Sequence, residues 1–196
     1  AYAKLNTNST FSIVMGDELV LNVLEKFKVK NREKRIKAAV KMYLGLGYHE
    51  EFHIRYTDMT LGPINKLRNK QFAGLAANVN NILEDAYIQY VRGIVDVPMT
   101  EEYFEFLDQL LFTTKDIKEF KFEDELGNVL NYTLNILKRR GIRKIGDHPW
   151  IAERKAEFVG FLNKFMNQHN PTARIEVAIE FTEWLVKEFG IPMDKD

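Results

Sequence analysis

Gly45-Leu46-Gly47-Tyr48-His49-Glu50-Glu51-Phe52-His53-Ile54-Arg55 contains the pattern H-E-x-x-H, and its reading decides both the fold and the chemistry. On a helix, two imidazoles four residues apart leave the same face, so His49 and His53 can reach one metal ion. Glu50 then comes to lie beside that ion, where it can take a proton from a bound water. Four His and eighteen Glu scattered at random over 196 residues give this pattern about once in a hundred chains. The plain alternative is two surface histidines on an ordinary helix.

Working outward from the motif, the periodicity is helical from about Arg32 onward, and Arg35 to Arg55 reads as the helix that carries the two histidines. Gly45 and Gly47 fall inside it. Glycine in a helix is destabilising, so their expected use is close backbone approach to a neighbouring element. Thr57-Asp58 and Leu61-Gly62-Pro63 break the chain. A second helix, starting near Pro63 or Asn65, runs to about Arg92-Gly93. Further helices are expected at about Thr100–Leu111, with Thr100 as cap, and at Lys121–Arg139, Pro149–Asn167 and Pro171–Phe189.

The N-terminal residues differ. Phe11–Val14 and Leu19–Val23 are short and rich in β-branched residues, with Gly16-Asp17 as a turn between them. Phe27–Lys30 alternates apolar and basic residues as a half-exposed strand does, although Glu25 to Arg35 also reads as a charged helix start. The fold class expected is therefore α+β, mainly α, with a small N-terminal antiparallel sheet. A single domain over residues 1–196 accommodates it: a sheet region at 1–34, the metal-site helices at 35–93 and a helical subdomain at 94–196. The closing KEFGIPMDKD suits a linker, so the chain reads as the N-terminal part of a longer protein.

Composition narrows the function classes. Lys+Arg and Asp+Glu each total 28, so no bulk charge points to nucleic acid or a membrane surface. The basic runs Lys26 to Arg35 and Lys138 to Lys144 read as solvated helix faces. There is no cysteine, which fits a reducing compartment and removes thiolate from the possible metal ligands. No apolar run approaches the roughly 18 residues a membrane span needs. A cytoplasmic protein is the expectation.

A catalytic zinc site normally takes three protein ligands and leaves one position for water. The second helix supplies a candidate in Asn78-Val79-Asn80-Asn81-Ile82-Leu83-Glu84-Asp85-Ala86-Tyr87-Ile88, a mostly apolar stretch interrupted by two adjacent carboxylates. Carboxylates rarely sit in such surroundings without a cation or strong hydrogen bonds. Glu84 is the expected third ligand beside His49 and His53, with Asp85 or Asn81 orienting an imidazole through its free N–H. Two alternatives stay open: the roles of Glu84 and Asp85 are exchanged, or both pair with Lys66, Arg68 or Arg92 at a solvated edge.

Gly45 to Asp58 followed by Asn81-Ile82-Leu83-Glu84-Asp85-Ala86 resembles the zincin metallopeptidases that use a glutamate as third ligand. More narrowly, it is similar to the metallopeptidase-like domains of bacteria and phages that precede a von Willebrand A domain, including the cobalt-chelatase T-subunit type. Those domains pair H-E-x-x-H-x-x-x-T-D with an N-x-x-E-D helix, and the likeness covers roughly Gly45 to Ile88. The resemblance implies a zincin-like helical core, Zn²⁺ held by His49, His53 and Glu84, Glu50 as base, and strands lining the cleft. Tyr48 and Glu51 depart from its usual apolar positions, and no von Willebrand segment is present.

Among the remaining residues, His148 in Gly146-Asp147-His148-Pro149-Trp150 is a catalytic candidate, as an oxyanion stabiliser or extra ligand, with helix capping as the plain alternative. Tyr87 and Tyr90 could reach a developing oxyanion but suit a core equally well. His169 reads as structural. The function expected is a zinc-dependent metallopeptidase acting on a peptide or protein substrate. The alternative is an interaction module on the same scaffold that positions a partner protein or domain and hydrolyses nothing.

Overall fold

The computed structural model describes residues 2–5, 11–14, 17–26, 30–95, 126–127, 129–130, 133 and 149–191. The chain divides into two compact units, Ala1–Met59 with Tyr90–Thr113, and Thr60–Gln89 with Thr114–Asp196.

The first unit is organised by the helix that carries the motif. Asn31 caps it, its side chain accepting from the Lys34 amide at 3.0 Å, and Glu33 lies in the first turn where the helix dipole favours a negative charge. This helix, α2, then runs without interruption over Arg32–Tyr56. A shorter helix, α1, spans Asp17–Lys26 and packs Leu24 against Met42 and Leu46, one turn apart on α2, with Ala38, Ala39 and Tyr43 around them. Ile36, Val40 and Leu44 recur every fourth residue of α2 and stay exposed. Among the described residues, a Cβ built on Gly47 meets nothing within 4 Å, so none of them makes the expected close approach there.

The expected α+β class is overturned here: the described residues are mainly helical, and the N-terminal sheet region does not form as read. Leu19–Val23, expected as a strand, lies inside α1. Its β-branched residues carry only a weak local preference, and Glu18 at the helix start together with Leu24 against α2 outweighs it. Phe27-Lys28-Val29 lies outside the described residues. What pairs is Tyr2–Leu5 (β1) with Phe11–Val14 (β2), antiparallel, Tyr2 opposite Val14 and Leu5 opposite Phe11. Two four-residue segments of this kind are marginal on their own; both lean on α2.

The second unit begins with a tight corner. Leu61 holds φ at +47°, and the single turn α3 (Gly62–Asn65), with Pro63 at its start, follows. The second helix expected from Pro63 or Asn65 is thus interrupted. It restarts as α4 (Lys70–Val95), whose capping Asn69 accepts from the Phe72 amide at 3.0 Å. The part of α4 up to Gln89 belongs to this unit. From Leu83 to Ile88 every residue is buried, so α4 is surrounded on all sides at the level of its two carboxylates.

The C-terminal helices match the sequence periodicity more closely. Pro149–Glu153 (α5) and Lys155–Met166 (α6) are separated at Arg154, whose Nε donates to Glu188 at 2.8 Å. Pro171–Glu188 (α7) starts at Asn170, which accepts from the Ala173 amide at 3.1 Å, with Pro171 at the first helical position. Ile64, Ala76 and Ile175 form one buried cluster joining α3, α4 and α7. Phe158, Phe161, Phe181, Trp184 and Trp150 form an aromatic one, with neighbouring ring centroids 5.3 to 5.9 Å apart. The helix expected over Thr100–Leu111 lies outside the described residues; Leu126, Gly127, Val129, Leu130 and Thr133, within the Lys121–Arg139 expectation, are helical. Among the described residues, no helix is long and apolar enough to cross a membrane.

Candidate metal centre

His49 and His53 stand one turn apart near the C-terminal end of α2, and the helix brings their rings edge to face with centroids 4.7 Å apart. Their Nε2 atoms are 3.2 Å from each other. That separation has a direct chemical meaning. Two nitrogens each about 2.0–2.1 Å from one tetrahedral zinc stand about 3.3 Å apart, so the pair already has the spacing of two ligands on a single ion. Without an ion, the same contact requires one ring to donate to the other.

The second ring is oriented from behind. His53 Nδ1 lies 3.0 Å from Thr57 Oγ1, and the Thr57 amide donates to the His53 carbonyl as the C-cap of α2 at 2.9 Å. With Nε2 turned to a cation, Nδ1 carries the proton and donates to the threonine oxygen, an arrangement that fixes both ring plane and tautomer. The sequence reading sought this orienting role in Asp85 or Asn81. Thr57, four residues after His53, is the threonine of the H-E-x-x-H-x-x-x-T-D pattern, to which the sequence assigns no orienting role.

Glu50 follows His49 on α2 and is buried. Among the described residues, no ion pair or hydrogen bond engages its carboxylate. Glu51, by contrast, faces solvent enough to pair with Arg55 one turn on. The two adjacent glutamates of the motif therefore have separate environments, one inside and one on the surface.

The carboxylates of α4 are likewise separated. Glu84, expected on the metal, is 1% exposed and is held by Arg174, itself fully buried. Arg174 Nε donates to Glu84 Oε1 at 2.8 Å and Nη2 donates to Oε2 at 3.0 Å, so both acid oxygens accept from one guanidinium. It is Asp85 that groups with the histidines. His49, His53 and Asp85 each offer one ligand atom, all within 4.8 Å of one another, and together they could hold a metal ion. Two imidazoles and a carboxylate are a normal donor set for zinc, so the residues present fit such an ion.

The other expected residues are placed as follows. Asn81 is exposed, whereas its neighbour Asn80 is buried and its Oδ1 has no hydrogen-bond partner among the described residues. His148 lies outside the described residues. Tyr87 is buried under the Arg174 guanidinium, 3.7 Å from ring centroid to the guanidinium carbon, and its hydroxyl lies 3.3 Å from His169 Nδ1. Tyr90 is half-exposed. Arg174 itself went unnoticed in the sequence, though a signal was there: it occupies the 174, 178, 181, 185 spacing whose other members are the buried Ala178, Phe181 and Leu185. A cation at a core position of a helix calls for an anion opposite.

A cavity of about 350 Å³ opens along the first turns of α4, lined by residues that include Phe72, Leu75, Asn78, Leu126 and Val186. Among the described residues, no acid or base lines it. Comparison with protein-family models, with curated proteins and with solved structures finds no match to this chain.

Proposed function

We propose that this chain is a zinc-dependent metallopeptidase in which His49, His53 and Asp85 hold the ion and Glu50 is the general base. The observation that carries the proposal is the grouping of two imidazoles and a carboxylate within 4.8 Å, with a buried glutamate next to the first of them on α2. Naming Asp85 rather than Glu84 exchanges the two carboxylates of the sequence reading, because both oxygens of Glu84 already accept from Arg174.

Zinc held by these residues would supply a Lewis acid able to acidify water and polarise a carbonyl. The chain's own residues do the rest. Thr57 Oγ1 holds the Nδ1 side of His53 and so aims Nε2. The Glu50 carboxylate accepts a proton from the water that attacks a peptide carbonyl and returns it to the leaving amine. Burial of Glu50 keeps that proton transfer away from bulk solvent.

Glu50→Gln tests the assignment. The variant keeps its metal by elemental analysis, while hydrolysis of a peptide library falls by orders of magnitude and chelator abolishes hydrolysis in the parent. Cleavage by the variant at the parent rate refutes the mechanism. Metal uptake with no cleavage by the parent identifies a scaffold instead of an enzyme.

A further inference from the structure

The part of α4 in the second unit starts behind its cap, Asn69, whose Oδ1 accepts from the Phe72 amide at 3.0 Å. Beyond that cap, Gln71, Gly74, Leu75 and Asn78 follow one another at helical steps and so share one face of α4. All four line the cavity of about 350 Å³, together with Phe72. Its other walls come from the same unit: Val186 in the last turn of α7, Ile191 just beyond that helix, and Leu126. Phe72 and Val186 are buried and form an apolar floor, whereas Gln71 and Asn78 are exposed at the rim.

This face of α4 has the spacing and chemistry of a peptide. Gln71 and Asn78 are two turns apart, about 10.5 Å along the helix axis. Each ends in a carboxamide, which offers donors and an acceptor together, as a peptide group does. An extended chain advances about 3.3–3.4 Å per residue, so about three residues span the distance between the two carboxamides. Between them Gly74 brings no side chain, and among the described residues a Cβ there meets nothing within 4 Å. Glycine inside a helix is a destabilising choice, and here it keeps a side chain out of the cavity. At liquid-like packing the volume takes roughly a dozen non-hydrogen atoms, the size of one aliphatic residue with a peptide group on each side.

We propose that this cavity is a binding site for a short extended peptide segment with an aliphatic central residue. The aliphatic side chain enters against Phe72, Leu75 and Val186, and the peptide groups on either side bond to Gln71 and Asn78. The site stands on residues of the second unit alone and is independent of the metal-centre reading. Burial of the side chain supplies most of the affinity. The carboxamides, already solvated at the rim, add less and fix the register of the bound segment.

The test is an NMR titration of the isotope-labelled 196-residue chain, with chelator present throughout so that no metal takes part. The probe is N-acetyl-Ala-Leu-Ala-amide. Saturable binding is expected, with shifts in the side-chain amide signals of Gln71 and Asn78. The same peptide with alanine at its centre is expected to bind about 10–50-fold more weakly, because it buries fewer carbons. Gln71→Ala and Asn78→Ala are each expected to weaken binding by about 2–10-fold. Gly74→Leu fills the cavity from a position with room for it, and is expected to abolish binding while helix content by circular dichroism stays unchanged. A parent that does not bind the probe, or a folded Gly74→Leu protein that binds it like the parent, overturns the proposal. Should Gly74→Leu not fold, the carboxamide variants decide: parental affinity in both overturns it. Equal affinity for the central-alanine peptide overturns the aliphatic assignment, and N-acetyl-leucine methylamide binding as tightly as the tripeptide overturns the extended segment.

Discussion

Thr57 is bonded to His53 at both of its ends, its amide to the carbonyl at 2.9 Å and its hydroxyl to Nδ1 at 3.0 Å. One residue therefore ends α2 and orients the last imidazole on it, so the boundary of the helix is also part of the site. Thr57→Val separates the two roles, since the backbone bond survives and the hydroxyl does not. The expected outcome is a helix of unchanged content by circular dichroism with zinc affinity about 10–100-fold weaker by chelator competition. Unchanged affinity would mean that Thr57 serves only as a cap.

Metal should stabilise the folded chain as well as serve its chemistry. Any ion that binds only the native state at 100 times its dissociation constant adds about 2.7 kcal/mol. Adding zinc is expected to raise the thermal midpoint, and chelator to reverse the gain. Asp85→Asn, read by the same melting curves, is expected to lose most of the response to zinc.

The buried ion pair gives a sharper contrast. Arg174→Met alone removes the guanidinium that both Glu84 oxygens accept from at 1% exposure, and such a break typically removes about 3–5 kcal/mol. The double change Arg174→Met/Glu84→Leu takes away both charges and is expected to sit close to the parent in urea unfolding. A single variant as stable as the double would show that water or another cation reaches Glu84.

Gly47 offers a stabilising change. It lies in the interior of α2 with open space where a Cβ would go, and alanine there gains about 0.5–1 kcal/mol from backbone entropy and helix propensity. Urea unfolding of Gly47→Ala measures it directly. A loss in place of the gain would show that something packs closely on that face of the helix.

The helices were legible where a cap and a period agreed. Asn31 and Asn170 both accept the amide three residues on, and α2 and α7 follow the apolar spacing behind them. The N-terminal residues misled because Val20, Leu21 and Val23 suit a strand locally, whereas the burial of Leu24 against Met42 and Leu46 depends on residues that no short window contains. His49, Glu50 and His53 were readable because a helix converts spacing directly into geometry. The choice between Glu84 and Asp85 was not. It turns on Arg174, ninety residues further along, and only tertiary packing brings that side chain to one acid and not its neighbour.

Leu61 has a left-handed backbone, a conformation that disfavours a branched side chain by roughly 1–2 kcal/mol, and yet that side chain packs against the Ile64, Ala76 and Ile175 cluster. Glycine at 61 would relax the corner and empty its filling, while valine or isoleucine would keep the filling and sharpen the distortion. A turn held against its own preference by the apolar atoms beneath it depends on them to stay closed, so loosening that packing releases the corner with it.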